Sequence, residues 1–148
     1  MKRVAVSGGF DPIHVGHIRH IKHASKLGDL LIVILTRDDQ LIAKKGYVFM
    51  PYEEREEILK ALKWVDMVVP NIDDTIEAAE SLEQYKPDIF AKGGDRTSFT
   101  MPEREVNVCN RIRCELVYGV GGYEKVESSS ELVKQLFVGT LTNPWVDA

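Results

Sequence analysis

The run Gly8-Gly9-Phe10-Asp11-Pro12-Ile13-His14-Val15-Gly16-His17 gathers, within ten residues, groups that could handle a charged ligand. It leaves the apolar stretch Val4–Val6, so it reads as the loop after a first strand. Two glycines let the backbone turn tightly and approach a ligand closely, and Pro12 stiffens the loop. His14-Val15-Gly16-His17 then opens a helix, whose first amides are unpaired and carry partial positive charge. Imidazoles three residues apart on a first turn face the same way, and Gly16 leaves no side chain between them. The chemistry that suits this arrangement is the gripping of a polyphosphate by backbone amides and imidazole N–H groups.

A metal site is the rival reading, because His14, His17, His20 and His23 stand at steps of three and Asp11 could join them. Steps of three drift round a helix axis, so the four rings cannot converge on one ion. His20 and His23 therefore read as surface residues, and no metal held by protein side chains is expected.

Three further segments carry chemistry. Lys44-Lys45-Gly46 places two mobile positive charges together, which by themselves read as solvated surface. Lys92-Gly93-Gly94-Asp95 follows an apolar run, where glycines permit close backbone approach and an aspartate can accept bonds from ribose hydroxyls or a base amine. Ser128-Ser129-Ser130-Glu131 has the serine-to-glutamate spacing of a capping box, and an open helix start is also an anion site. Arg96 and Arg104 could meet an acceptor phosphate or simply lie on the surface.

The elements that must position these groups are legible as alternation. Val4–Val6, Leu31–Leu35, Met67–Val69, Ile89–Ala91 and Leu116–Val120 read as strands. Helical spacing lies between them: Ile18, Ile21, Ala24 and Leu27 up to Gly28; Ile58, Leu59, Leu62 and Val65 after Pro51; Ala78, Ala79 and Leu82 behind Thr75; a fourth helix from Pro102-Glu103; and a last one through Leu132, Val133 and Leu136. Such alternation predicts a mainly parallel sheet covered on both faces by right-handed crossovers. Ligands then bind at the carboxyl ends of the strands, where the strand order reverses. One domain over residues 1–138 is expected, with a loosely attached tail at 139–148.

Composition narrows the function. The 148 residues include 19 basic and 23 acidic ones, for a net charge of −4, so a broad nucleic-acid surface is not expected. Residues 1–50 nevertheless carry a balance of +4, which suits a small anionic ligand. The longest apolar run, Leu30–Leu35, is far too short to span a membrane. Cys109 and Cys114 fit neither a CxxC motif nor a disulfide framework, and a cytoplasmic location is the default expectation.

Residues 8–17 resemble the G-x-F-D-x-x-H-x-G-H signature of the HxGH nucleotidyltransferases, in particular their cytidylyltransferase-like branch. That branch includes glycerol-3-phosphate cytidylyltransferase and heptose 1-phosphate adenylyltransferase. The resemblance runs from about Arg3 to Leu136. It implies a Rossmann-like, doubly wound, five-stranded sheet with helices on both faces. It implies transfer of AMP or CMP from ATP or CTP to a small phosphorylated sugar or alcohol, with release of pyrophosphate. The nucleotide phosphates would carry Mg²⁺. His14 and His17, with Lys44 or Lys45 from a mobile loop, would be the catalytic groups. Gly8, Gly9, Phe10, Asp11, Gly16, Lys92, Gly93, Gly94, Asp95, Ser128, Ser129 and Ser130 would bind the nucleotide. Asp38, Arg55 and Lys63 would bind the acceptor, although Arg55 could equally pair with Glu54 or another helix carboxylate, while Asp66 in Lys63-Trp64-Val65-Asp66 would fix a strand entrance. A homodimer is a family expectation. The sequence departs from the pattern at Gly9, where a threonine is frequent, and in lacking an R-T-x-G before the serines; Lys125 could substitute. Lys92-Gly93-Gly94-Asp95 leans towards ATP. A nucleotide-binding module without catalysis is the alternative, and it predicts binding without pyrophosphate release.

Overall fold

In a computed structural model, the structure describes residues 1–94, 100–122, 129 and 131–134. The strands are β1 (Arg3–Gly8), β2 (Leu30–Leu35), β3 (Met67–Pro70), β4 (Ile89–Ala91) and β5 (Glu115–Val117). The helices are α1 (Val15–Ser25), α2 (Asp38–Lys45), α3 (Tyr52–Lys60), α4 (Ala79–Tyr85) and α5 (Glu103–Ile112). All strand pairs are parallel, in the order β3-β2-β1-β4-β5. The direction of winding therefore reverses between β1 and β4, which opens a crevice beyond Gly8 and Ala91.

The two faces of the sheet follow from side-chain alternation. Val4 and Val6 point to one side with Val33 and Leu35, where Ile21 and Ala24 of α1 and Leu59 of α3 cover them. Ala5, Ile34 and Phe90 point to the other, under Ala79 and Leu82 of α4 and Val108 and Cys109 of α5. Burial on both faces is why β1 and β2 read as unbroken apolar runs. Cys109 and Cys114 are free thiols belonging to this second core.

Three local expectations are corrected. The lysine segment is not a loop but the end of α2, which Gln40 begins by accepting the Arg37 amide at 2.8 Å. Gly46 ends it at φ +86°, with its amide on Ile42 O at 2.8 Å. Second, α4 starts at Ala79 rather than behind Thr75. The Asp73 carboxylate takes the amides of Glu80 at 2.8 Å and Ser81 at 2.9 Å, and Asn71 Nδ2 holds the carbonyl of Glu77 at 3.1 Å. This buried network leaves residues 71–78 as a packed loop. Third, β5 ends at Val117, because Val120 has turned back to donate to Lys92 O at 3.0 Å. Residues 131–134 are helical, while the tail 139–148 lies outside the described residues. Among the described residues no helix is long and apolar enough to cross a membrane.

Candidate active site

Two amide protons orient the paired imidazoles. His14 is the N-cap of α1, and its Nδ1 accepts the Gly16 amide at 3.1 Å. The His14 amide in turn donates to Nδ1 of His17 at 3.2 Å. The histidines thus take the places that serine and glutamate hold in an ordinary reciprocal cap. Their rings stack with centroids 3.7 Å apart and a 19° tilt. Phe10, at φ +49°, sends its ring edge-on to His17 at 4.8 Å. Since each Nδ1 accepts a hydrogen bond, a neutral ring must carry its proton on Nε2. Both histidines are therefore assigned as N–H donors along the remaining edge.

His17 is held in that neutral form. Burial is the main cause, with His14, His20 and Lys45 adding repulsion, and its pKa falls from 6.5 to about 3. His20 is not the plain surface residue expected: it is half-buried, with Nδ1 2.8 Å from Val120 O. His23 is exposed.

A cavity of about 230 Å³ opens at the switch point, with Gly8, Gly9, Phe10 and His17 on its wall. Lys44 and Lys45 reach it from the last turn of α2, and Lys92 from the end of β4. Ser129 closes it from the C-terminal side, where its hydroxyl donates to Pro12 O at 2.8 Å. Lys45 lies low in its range through burial, offset by the Asp11 charge and reinforced by Lys44 and Arg55. The Lys92 ammonium lies 4.6 Å from the Phe90 ring centroid. The glycines also serve protein packing: a Cβ on Gly9 would stand 3.0 Å from the Leu41 side chain, and one on Gly8 3.2 Å from the Phe10 ring.

Other expected contacts are spent elsewhere. Asp11 is fully buried, and its carboxylate accepts the amides of Phe49 at 2.7 Å and Met50 at 2.5 Å. It does not line the cavity. The Gly16 amide is occupied by His14. Arg55 has a fully buried side chain whose guanidinium donates only to protein oxygens, among them Asp38 Oδ1 at 2.6 Å. That burial removes Arg55 from direct acceptor contact, and it binds one of the oxygens of Asp38. Lys63 lies at the wrong end of the sheet, because β3 runs parallel to β1 and Lys63 precedes it. Its ammonium packs 5.3 Å from the Trp64 ring centroid instead. Asp66 does fix a strand entrance, accepting the Leu31 amide at 2.8 Å. Gly93 and Gly94 follow β4 without lining the cavity. Asp95, Arg96, Lys125, Ser128 and Ser130 lie outside the described residues.

The structure adds two acidic groups that the sequence did not single out. Glu77 and Glu105 line the cavity, and Glu105 Oε2 accepts the Ala78 amide at 3.2 Å while almost wholly buried. A glutamate in a helix's first turn reads as an ordinary complement to the helix dipole, so nothing in the sequence marked Glu105. Arg104 stands 3.9 Å from both Glu77 and Glu80. It borders a separate groove of about 600 Å³ between α4 and α5, which holds none of the histidine or glycine motifs. Among the described residues no group of three His, Cys, Asp or Glu is placed to hold a metal ion.

Comparison with known proteins shows the family and the fold. The model of the cytidylyltransferase-like family matches residues 5–138. An FAD synthase from Ferroglobus placidus is 40% identical over 96 residues, 65% of this chain and 61% of that protein. The chain thus spans about three fifths of that relative's length. The bifunctional protein HldE of Syntrophotalea carbinolica is 36% identical over 80% of this chain and 24% of its own length. Among solved structures, a lipopolysaccharide core biosynthesis protein from Thermoplasma volcanium superposes with a TM-score of 0.71 at 28% identity, over 84% of this chain and 99% of that one.

Proposed function

Because the chain belongs to the cytidylyltransferase-like family, we propose that it is an adenylyltransferase that joins the AMP of ATP to a phosphorylated acceptor, with FMN as the acceptor and FAD as the product. The observation that carries this reading is the convergence of His17, Lys44, Lys45 and Lys92 with the Gly8-Gly9 bend on one cavity at the switch point. A phosphate oxygen of the acceptor attacks the α-phosphorus of ATP, the bond to the β-phosphate oxygen breaks, and pyrophosphate leaves. No protein nucleophile is needed, because alignment and charge stabilisation suffice.

His14 and His17 donate Nε2–H to the phosphate oxygens on which charge builds, and burial keeps His17 from losing its partner to a stray proton. Lys44 and Lys45 neutralise the α-phosphate and the departing group as point charges on long stems. Lys92 and Ser129 hold the remaining phosphates together with Ser128 and Ser130. Mg²⁺ brought in with the nucleotide would supply charge neutralisation at the phosphates, beside Lys44, Lys45 and Lys92.

ATP is preferred to CTP because Lys92-Gly93-Gly94-Asp95 resembles the KGGD of heptose 1-phosphate adenylyltransferase-like proteins. FMN is preferred as acceptor because relatives named FAD synthase match over much of the chain. A sugar phosphate is the second acceptor class, favoured by the match to HldE. The deciding experiment incubates the purified protein with ATP or CTP against FMN and heptose 1-phosphate, reading pyrophosphate. Magnesium-dependent release with ATP and FMN is expected. Nucleotide binding without release for any pair would replace this reading with that of a non-catalytic module.

A further inference from the structure

Arg55 does not line the cavity, yet it touches the segments that build three of its walls. Its Nε donates to Met50 O at 2.8 Å, one terminal nitrogen to Gly9 O at 2.9 Å and Thr36 O at 2.6 Å, and the other to Asp38 at 2.6 Å. Gly9 belongs to the first loop, Thr36 ends β2, Asp38 begins the helix that carries Lys44 and Lys45, and Met50 ends the segment that follows them. Met50 is gripped twice, since its amide donates to Asp11 while its carbonyl accepts from Arg55. Gly9, Asp11, Met50 and Arg55 thus close a ring of chain and hydrogen bonds around the root of the histidine loop. A buried guanidinium needs partners, and α3 already packs on the core through Leu59 and Tyr52. Three bonds to the backbones of neighbouring segments and a fourth to the Asp38 carboxylate tie α3 to all of them at once.

We infer that Arg55 is a positioning residue that sets the spacing between the lysine end of α2 and the stacked imidazoles, and that Asp11 and Asp38 are the two acids through which it does so. The effect on turnover rests on the nucleotidyl-transfer reading above, whereas the effect on the backbone does not. A lysine at position 55 keeps the charge but lacks the planar fork that spans four oxygens. Misplacing a reacting group by about 1 Å can cost about 10²-fold in rate.

The test combines hydrogen exchange with kinetics on the full chain carrying Arg55→Lys or Asp38→Ala. The second substitution is the milder, because the Asp38 side chain is 42% exposed and only one of the four bonds is lost. In both variants the Phe49 and Met50 amides should exchange about 10-fold faster or more, as local opening replaces a fixed hydrogen bond, while β1 and β2 amides keep their protection. Turnover should fall about 10²-fold for Arg55→Lys with ATP affinity changed less than about 3-fold. Unchanged exchange at Phe49 and Met50 in both variants would overturn the inference. So would a raised KM for the acceptor at unchanged kcat, which would make Arg55 a direct acceptor contact. If exchange quickens while the parent chain releases no pyrophosphate, the positioning role stands and the nucleotidyl-transfer reading fails.

Discussion

Acidification gives the sharpest test of how His17 is held. An unfolded histidine titrates near 6.5, whereas His17 in the fold stays neutral down to about 3 because it is buried beside His14, His20 and Lys45. Below pH 6.5 the unfolded chain therefore takes up a proton at this position that the folded chain refuses. Stability must fall as the pH drops through that window and level off near the folded value. Each pH unit contributes about 1.36 kcal/mol, so at about pH 5 the loss from this one group is about 2 kcal/mol. For a chain of this size that lowers Tm by about 4–8 °C relative to neutral pH. Other groups titrate over the same range, so a variant is needed to isolate the effect. His17→Gln keeps an oxygen that can accept the His14 amide and cannot titrate. Urea denaturation of parent and variant at about pH 7.5 and about pH 5 should show the parent losing about 2 kcal/mol more than the variant. Equal losses in the two proteins would refute the buried, neutral assignment.

Further outcomes follow from the same geometry. His17→Ala removes a donor from the cavity and an acceptor from the cap: turnover should fall about 10²–10³-fold, with stability reduced by about 1 kcal/mol in thermal unfolding. Lys45→Met should lower kcat at least about 10-fold while nucleotide affinity changes less, measured by pyrophosphate release beside equilibrium binding; the parallel Lys44→Met variant shows which lysine acts. Asp73→Ala strips the acceptor from the start of α4 and should cost about 2 kcal/mol in urea denaturation, with turnover per folded molecule unchanged.

Legibility followed burial. Val4–Val6 and Leu31–Leu35 are sealed on both faces, so their apolar runs announced strands, and their alternation with helical spacing announced the parallel sheet. The paired histidines were legible too, because three residues on a first turn is a geometric statement. α2 was not, since its buried face consists of Gln40 and Leu41 and yields no stripe. Lys63 was misplaced, and Arg55 stayed open between a phosphate and a helix carboxylate, for a related reason: spacing reveals neither that a guanidinium is buried on Asp38 nor which end of a sheet a loop occupies. The start of α4 depends on Asn71, Asp73 and Ser81 meeting in space, and Glu77 and Glu105 enter the cavity only because loop 71–78 packs against α5. Such tertiary meetings leave no periodic trace.

The most direct measurement is a crystal structure with ATP and magnesium bound. The account predicts the triphosphate across the Gly8-Gly9 bend, within hydrogen-bond reach of His14 and His17 Nε2 and facing Lys44 and Lys45. Phosphates found in the groove between α4 and α5, or anywhere remote from the histidine loop, would contradict it.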